Sequence, residues 1–190
     1  MRSISVAELI TGYNIEYEET KESHDESNAQ YLTFLIAGET FAVGILDVNE
    51  IIEVSEMTDV PMMPEFIRGV INLRGAVVPV IDLAARMERG RSELDKRSCI
   101  VLVETPLSDN QYQVVGMLVD SVNEIVEISQ DHIQPAPAMG DGIDTRFIKA
   151  MGRVDELFFV LLDIENILSN EQITNLEQLK RMHQSSATTL

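Results

Sequence analysis

Val48-Asn49-Glu50-Ile51-Ile52-Glu53-Val54 returns 74 residues later as Val122-Asn123-Glu124-Ile125-Val126-Glu127-Ile128. Two further pairs follow in the same order, now 81 residues apart. Phe66-Ile67-Arg68 matches Phe147-Ile148-Lys149, and Asp82-Leu83 matches Asp163-Ile164. Ordered matches of this kind mark an internal duplication. The seven extra residues fall around Gly140-Asp141-Gly142, a stretch of small and polar residues where an insertion costs little. Each half is too short to bury much alone, which predicts two similar lobes about a pseudo-twofold axis with a shared core.

The pattern within each half is that of strands. Tyr31–Ala37 is rich in strand formers, Gly38-Glu39-Thr40 reads as a turn, and Phe41–Gly44 opens a second strand. Val70-Ile71 and Val77–Ile81 flank Asn72-Leu73-Arg74-Gly75, a second hairpin in which Gly75 supplies the positive φ of a tight turn. Pro79 cannot donate to a ladder, so its strand is expected at an edge or with a bulge. Arg86–Arg97 is charged and reads as a solvated linker. Strands resume at Cys99–Val103, Tyr112–Val119 and Leu157–Leu162. The expected lobes are 31–85 and 98–168.

The ends differ from this body. Residues 1–30 hold seven acids and two bases, and the polar stretch from Glu16 to Gln30 reads as disordered. Val6, Leu9, Ile10 and Tyr13 have helical spacing, compatible with a short amphipathic helix or with a tail that only fluctuates into one. At the other end, Ser169 and Gln172 have capping-box spacing. Ile173, Leu176, Leu179 and Met182 then mark one face of a C-terminal helix, with a frayed tail to Leu190.

Composition narrows the partners. A net charge of -18 repels phosphate backbones and anionic lipid, so neither nucleic acid nor direct membrane insertion is expected. No apolar run approaches the ~20 residues of a membrane helix. There is no basic region followed by an apolar stretch at the N-terminus, and the single cysteine, Cys99, suits a reducing compartment. These features predict a soluble cytoplasmic protein. Cys99 reads as a structural thiol. His24, His132 and His183 are scattered without metal-ligand spacing. No catalytic constellation, metal site or cofactor is expected, although a carboxylate pair is not excluded by sequence.

The halves differ at one informative place. Asn72-Leu73-Arg74-Gly75 aligns with Arg153-Val154-Asp155-Glu156, so the flanking strands are kept and the turn chemistry is not. Arg74 is then either an exposed hairpin cation or an arginine held at a groove by a carboxylate, where its planar fork is hard to replace.

The stretch Phe66-Ile67-Arg68-Gly69-Val70-Ile71-Asn72-Leu73-Arg74-Gly75-Ala76-Val77-Val78-Pro79-Val80-Ile81-Asp82-Leu83 resembles the signature of CheW, the chemotaxis coupling family. Val114–Asp120 and Ile133-Gln134-Pro135-Ala136-Pro137 resemble its second-lobe strand and the turn after it. The resemblance covers about residues 31–168. It implies a mainly β fold of two five-stranded, SH3-like barrels. It implies a non-enzymatic adaptor that joins chemoreceptor tips to the histidine kinase CheA. The positions matching the family's receptor contacts are Ile45, Val48, Glu50, Arg68 and Arg74, with Arg74 and Glu50 expected to frame the groove as a pair. The kinase regulatory domain is expected near Val126, Ile128, Pro135 and Pro137. An adaptor of a parallel array, for pili or biofilm signalling, fits the same residues. A small-ligand-binding β-barrel or a hydrolase is the rival of another class.

Overall fold

The computed structural model describes residues 3–5, 8, 28–106, 111–137 and 145–168. Twelve strands among them form two six-stranded sheets. They are β1 (Ser3–Ser5), β2 (Asn28–Ile36), β3 (Glu39–Gly44), β4 (Val48–Glu53), β5 (Ile67–Leu73), β6 (Ala76–Asp82), β7 (Cys99–Pro106), β8 (Tyr112–Val119), β9 (Ser121–Ser129), β10 (Ile133–Gln134), β11 (Ile148–Val154) and β12 (Leu157–Leu162). One sheet runs β1-β4-β7-β8-β6-β5 and the other β10-β11-β12-β3-β2-β9. Each holds one strand more than the five expected, β1 in the first sheet and the two-residue β10 in the second.

The sheets do not follow the sequence halves. Hairpin β2–β3 belongs with β9–β12, and hairpin β7–β8 belongs with β4–β6. The division into lobes at 31–85 and 98–168 is therefore corrected: each repeat lends its first hairpin to the other's sheet. Two parallel joints make the exchange, Val80 opposite Gly116 between β6 and β8, and Val160 opposite Phe41 between β12 and β3.

Burial explains why this arrangement holds. Strand residues alternate between faces. On β7, Val101 and Val103 point into a core shared by both sheets, with Phe34, Phe41, Met117 and Leu162. The alternate residues Ile100 and Leu102 fill a second core with Ile52, Ile71, Val80 and Leu118. A strand covered on both faces must be apolar throughout, which is why Cys99–Val103 reads as an unbroken run. A third core holds Ala42, Ile128, Ala150, Phe159 and Leu161 in the other sheet.

Local chemistry sets the turns. The first hairpin turns at Ala37-Gly38, with φ of +49° and +80°, so Glu39 already lies in a strand rather than in the turn expected there. Arg74 and Gly75 repeat this geometry at +51° and +88°. Positive φ at both central residues is the twist-matched two-residue hairpin turn. The Asn72 carboxamide oxygen accepts from the Gly75 amide at 2.8 Å and closes it. Pro79 lies in an inner strand, opposite Val70, and not at an edge. It is tolerated because the ladder to β8 begins only at Val80.

The linker is more than a solvated connection. Residues Leu83–Arg86 form a helical turn capped by Asp82, Met87 is buried, and Ser92 is bound to Asp82. The helix Ile164–Leu168 begins at Asp163, whose carboxylate accepts from the Asn166 amide at 3.0 Å. Helical structure thus starts ahead of Ser169. The helix over Ile173–Met182 and the amphipathic segment Val6–Tyr13 lie outside the described residues, apart from Glu8. Within the acidic N-terminal stretch, Ser3–Ser5 and Asn28–Gln30 are strand rather than disordered tail.

One side chain ties the two repeats together. The Arg86 guanidinium lies between the rings of Phe66 and Phe147, 4.6 and 4.8 Å from their centroids. These phenylalanines are equivalent positions of the duplication. Arg86 Nε also donates to the Ile167 carbonyl at 3.0 Å. Arg86→Ala is expected to cost about 2 kcal/mol, from two cation–π contacts and one hydrogen bond. Urea denaturation would measure it, with Arg86→Lys losing less.

Candidate docking site at the Arg74 hairpin

The β5–β6 turn carries Arg74 across to β4. Its guanidinium grips the Glu50 carboxylate with both terminal nitrogens, at 2.8 and 3.1 Å. This is the bidentate fork that lysine cannot reproduce. Arg74 keeps Glu50 well below the usual carboxylate range, helped by a hydrogen bond from the Ser3 side chain, and Glu50 raises Arg74 in turn. The pair is not desolvated, however. The Arg74 side chain is 69% exposed and that of Glu50 only 13%. Glu50 therefore acts as a fixed base on which Arg74 is presented to solvent, a cation on a strongly acidic protein.

The other expected receptor contacts behave differently. Ile45 and Val48 are buried in the shared core, because β4 directs Val48 and Ile51 inward. Arg68 is drawn the other way, to Asp82 at 3.1 Å and to the Ser92 carbonyl at 3.0 Å, with its side chain 13% exposed. Only Glu50 and Arg74 of the five meet in one surface cluster. Two of the exposed apolar residues adjoin these positions and were not singled out from the sequence: Leu46, between Ile45 and Asp47, and Val77, beside the hairpin turn. An apolar residue on the solvent side of a strand or turn was the signal that could have found them. Val77 borders a cleft of about 450 Å³ that also includes Ser55, Glu56, Thr58, Val70 and Asn72.

The expected kinase positions separate too. Pro135 and Pro137 are exposed, and Val126 is half-buried against the third core. Ile128 is inside that core, its Cδ1 2.6 Å from where a side chain on Gly152 would begin, so it offers no surface to a partner.

Chemistry elsewhere is sparse. Burial pushes the Cys99 thiol up, and it donates to the Arg97 carbonyl at 3.2 Å. A second cleft, of about 240 Å³, gathers Asp47, Glu104, Lys149, Asp163 and Glu165. No metal-ligating group of three is present among the described residues, and no described helix is long and apolar enough to cross a membrane.

A model of the CheW-like domain matches residues 30–172. The chain belongs to the CheW family of chemotaxis scaffold proteins. The chemotaxis protein CheW of Klebsiella aerogenes is 30% identical over 154 residues, 81% of this chain and 90% of that protein. A probable chemotaxis protein CheW of Rhizobium etli is 31% identical over 150 residues, 79% of this chain and 94% of its own. Among solved structures, the scaffolding protein CheW of Thermoanaerobacter tengcongensis superposes with a TM-score of 0.69 at 31% identity, covering 81% of this chain and 96% of that one. Family membership agrees with the mainly β, two-sheet fold and with the signature at Phe66–Leu83.

Proposed function

We propose that this protein is a non-catalytic chemotaxis adaptor, coupling chemoreceptor cytoplasmic tips to a CheA-type histidine kinase. The observation that carries the receptor half is the Glu50-anchored Arg74, exposed on a hairpin turn where the second repeat carries Asp155-Glu156 instead. A helical receptor tip would lay apolar side chains beside the hairpin and direct an acidic group at Arg74, the helix-in-groove mode of recognition. The kinase regulatory domain would meet the opposite repeat near Val126, Pro135 and Pro137. Individual contacts of micromolar strength then suffice, because an array multiplies them through effective concentration. The protein would work in the cytoplasm, held at the inner membrane face by receptors, and no cofactor enters this mechanism.

Charge reversal tests the site. Arg74→Glu is expected to weaken binding of a receptor cytoplasmic fragment about tenfold or more. Binding to the kinase regulatory domain should be unchanged. Thermal stability should hardly move, since exposed ion pairs contribute little to folding. Isothermal titration with each partner reads both affinities. An unaltered receptor affinity would reject Arg74 as the contact.

A further inference from the structure

β4 and β9 have nearly the same sequence but different surroundings. Each is bound on one side by a hairpin of the other repeat, β4 by β7 and β9 by β2. The ladder to each is interrupted at the corresponding place, after Val48 and after Val122. On its other side β9 has no hydrogen-bonded strand among the described residues, being the last of its sheet. β4 has β1 there, with Ser3 opposite Ile52, Ile4 opposite Ile51 and Ser5 opposite Glu50. Among the described residues, a strand of this sequence thus stands without an outer neighbour on β9 and with one, β1, on β4.

β1 is also lightly held. It has three residues, all exposed, and Ile4 leaves 47% of its surface in water. It is tied to the body by its short backbone ladder to β4. The Ser5 amide donates to the Glu8 carboxylate at 3.0 Å and the Glu8 amide donates to the Ser5 hydroxyl at 3.2 Å, a reciprocal capping box. So short a strand yields little burial to offset the entropy of ordering it.

We propose that β1 is a displaceable strap over the docking edge, competing in cis with the receptor for β4 and the Glu50–Arg74 pair. This rests on the reading of that pair as the receptor site. With β1 in place, Ser5 lies opposite Glu50 and the outer backbone groups of β4 are paired. When β1 leaves, the edge of β4 that carries Glu50 is uncovered, and a partner strand or helix gains access to the backbone beside the Glu50–Arg74 pair. The N-terminal segment thus lowers affinity without touching the fold.

The test compares the full chain with one lacking residues 2–8, each titrated with the cytoplasmic fragment of a chemoreceptor from the same organism. The truncated chain should bind about three- to tenfold more tightly, the ratio expected when a competing closed state is removed. In the full chain, the Ile4 methyl resonances should move to their free-peptide positions as the fragment binds. Equal or weaker binding by the truncated chain, or Ile4 methyls unmoved in the complex, overturns the strap. Arg74→Glu separates the two ideas. If it abolishes binding while truncation changes nothing, the strap alone is wrong. If it leaves binding intact, the site is misread and the strap falls with it.

Discussion

Asp82→Ala is expected to lower unfolding stability by about 3–5 kcal/mol, the cost of removing one partner of a buried, hydrogen-bonded ion pair. Asp82 is the only acidic residue in the buried set among the described residues. Its two oxygens take the Arg68 guanidinium at 3.1 Å, the Ser92 amide and hydroxyl at 2.8 Å each, and the Ala85 amide at 3.2 Å. One carboxylate thereby fixes β5, the helical turn after β6 and the linker toward β7. The alanine variant leaves Arg68 without its charge partner and the Ser92 amide without its acceptor. For a chain of this size the loss corresponds to a melting temperature roughly 10 °C lower. Asp163→Ala makes the informative comparison. Asp163 is the equivalent residue of the second repeat, but it only caps the helix at Asn166, so its loss should cost about 1 kcal/mol. The double variant Arg68→Met with Asp82→Leu should recover much of the stability, because it leaves no unpaired charge inside. Calorimetry on the four proteins decides this; equal losses for Asp82→Ala and Asp163→Ala would show that the buried network is not what holds the linker.

The Asp82 network also shows where the sequence could be read and where it could not. Arg68 stands inside the family signature, and by resemblance it was expected at the receptor. What engages it is a carboxylate 14 residues away, and nothing in residue spacing reports that the two strands bring them together. The burial of Ile45 and Val48 was illegible for a related reason: apolar residues suit a groove and a core equally, and only the folded backbone decides which way they point. The duplication was legible because Val48–Val54 and Val122–Ile128 keep their residue types. Strand pairing was not, because similarity identifies equivalent strands and says nothing about which sheet each joins. A hairpin with two apolar faces, such as β7–β8, can sit in the middle of either sheet. The Arg74–Glu50 pair was legible as an idea, but its exposure was not, since that depends on how far the turn extends beyond β4. β1 went unread because three residues are too few to show a period.

The second large effect is expected at Gly69, where alanine should cost about 2–4 kcal/mol through backbone strain and a steric clash. Gly69 has φ of +147°, a conformation that side chains rarely adopt. A Cβ placed there would lie 2.6 Å from the Thr58 carbonyl oxygen, and backbone cannot yield as a flexible side chain can. The same contact lies beside the proposed docking site. Thr58 and Val70 exchange amide hydrogen bonds at 2.9 Å each, and this bridge holds the segment that lines the cleft beside the Arg74 hairpin. The second repeat has Ala150 at the equivalent position, so the strand itself accommodates a methyl group. Gly69→Ala should therefore release residues 54–58, accelerate amide exchange at Thr58 and Val70, and reduce receptor binding, while the sheet of β9–β12 keeps its protection. Removing the strain without the clash is not possible at this site, so the control is Gly75→Ala, which has φ of +88° but open space around it. If Gly75→Ala proves as costly as Gly69→Ala, backbone conformation alone explains both. A much greater loss at Gly69 assigns the difference to the Thr58 crossing.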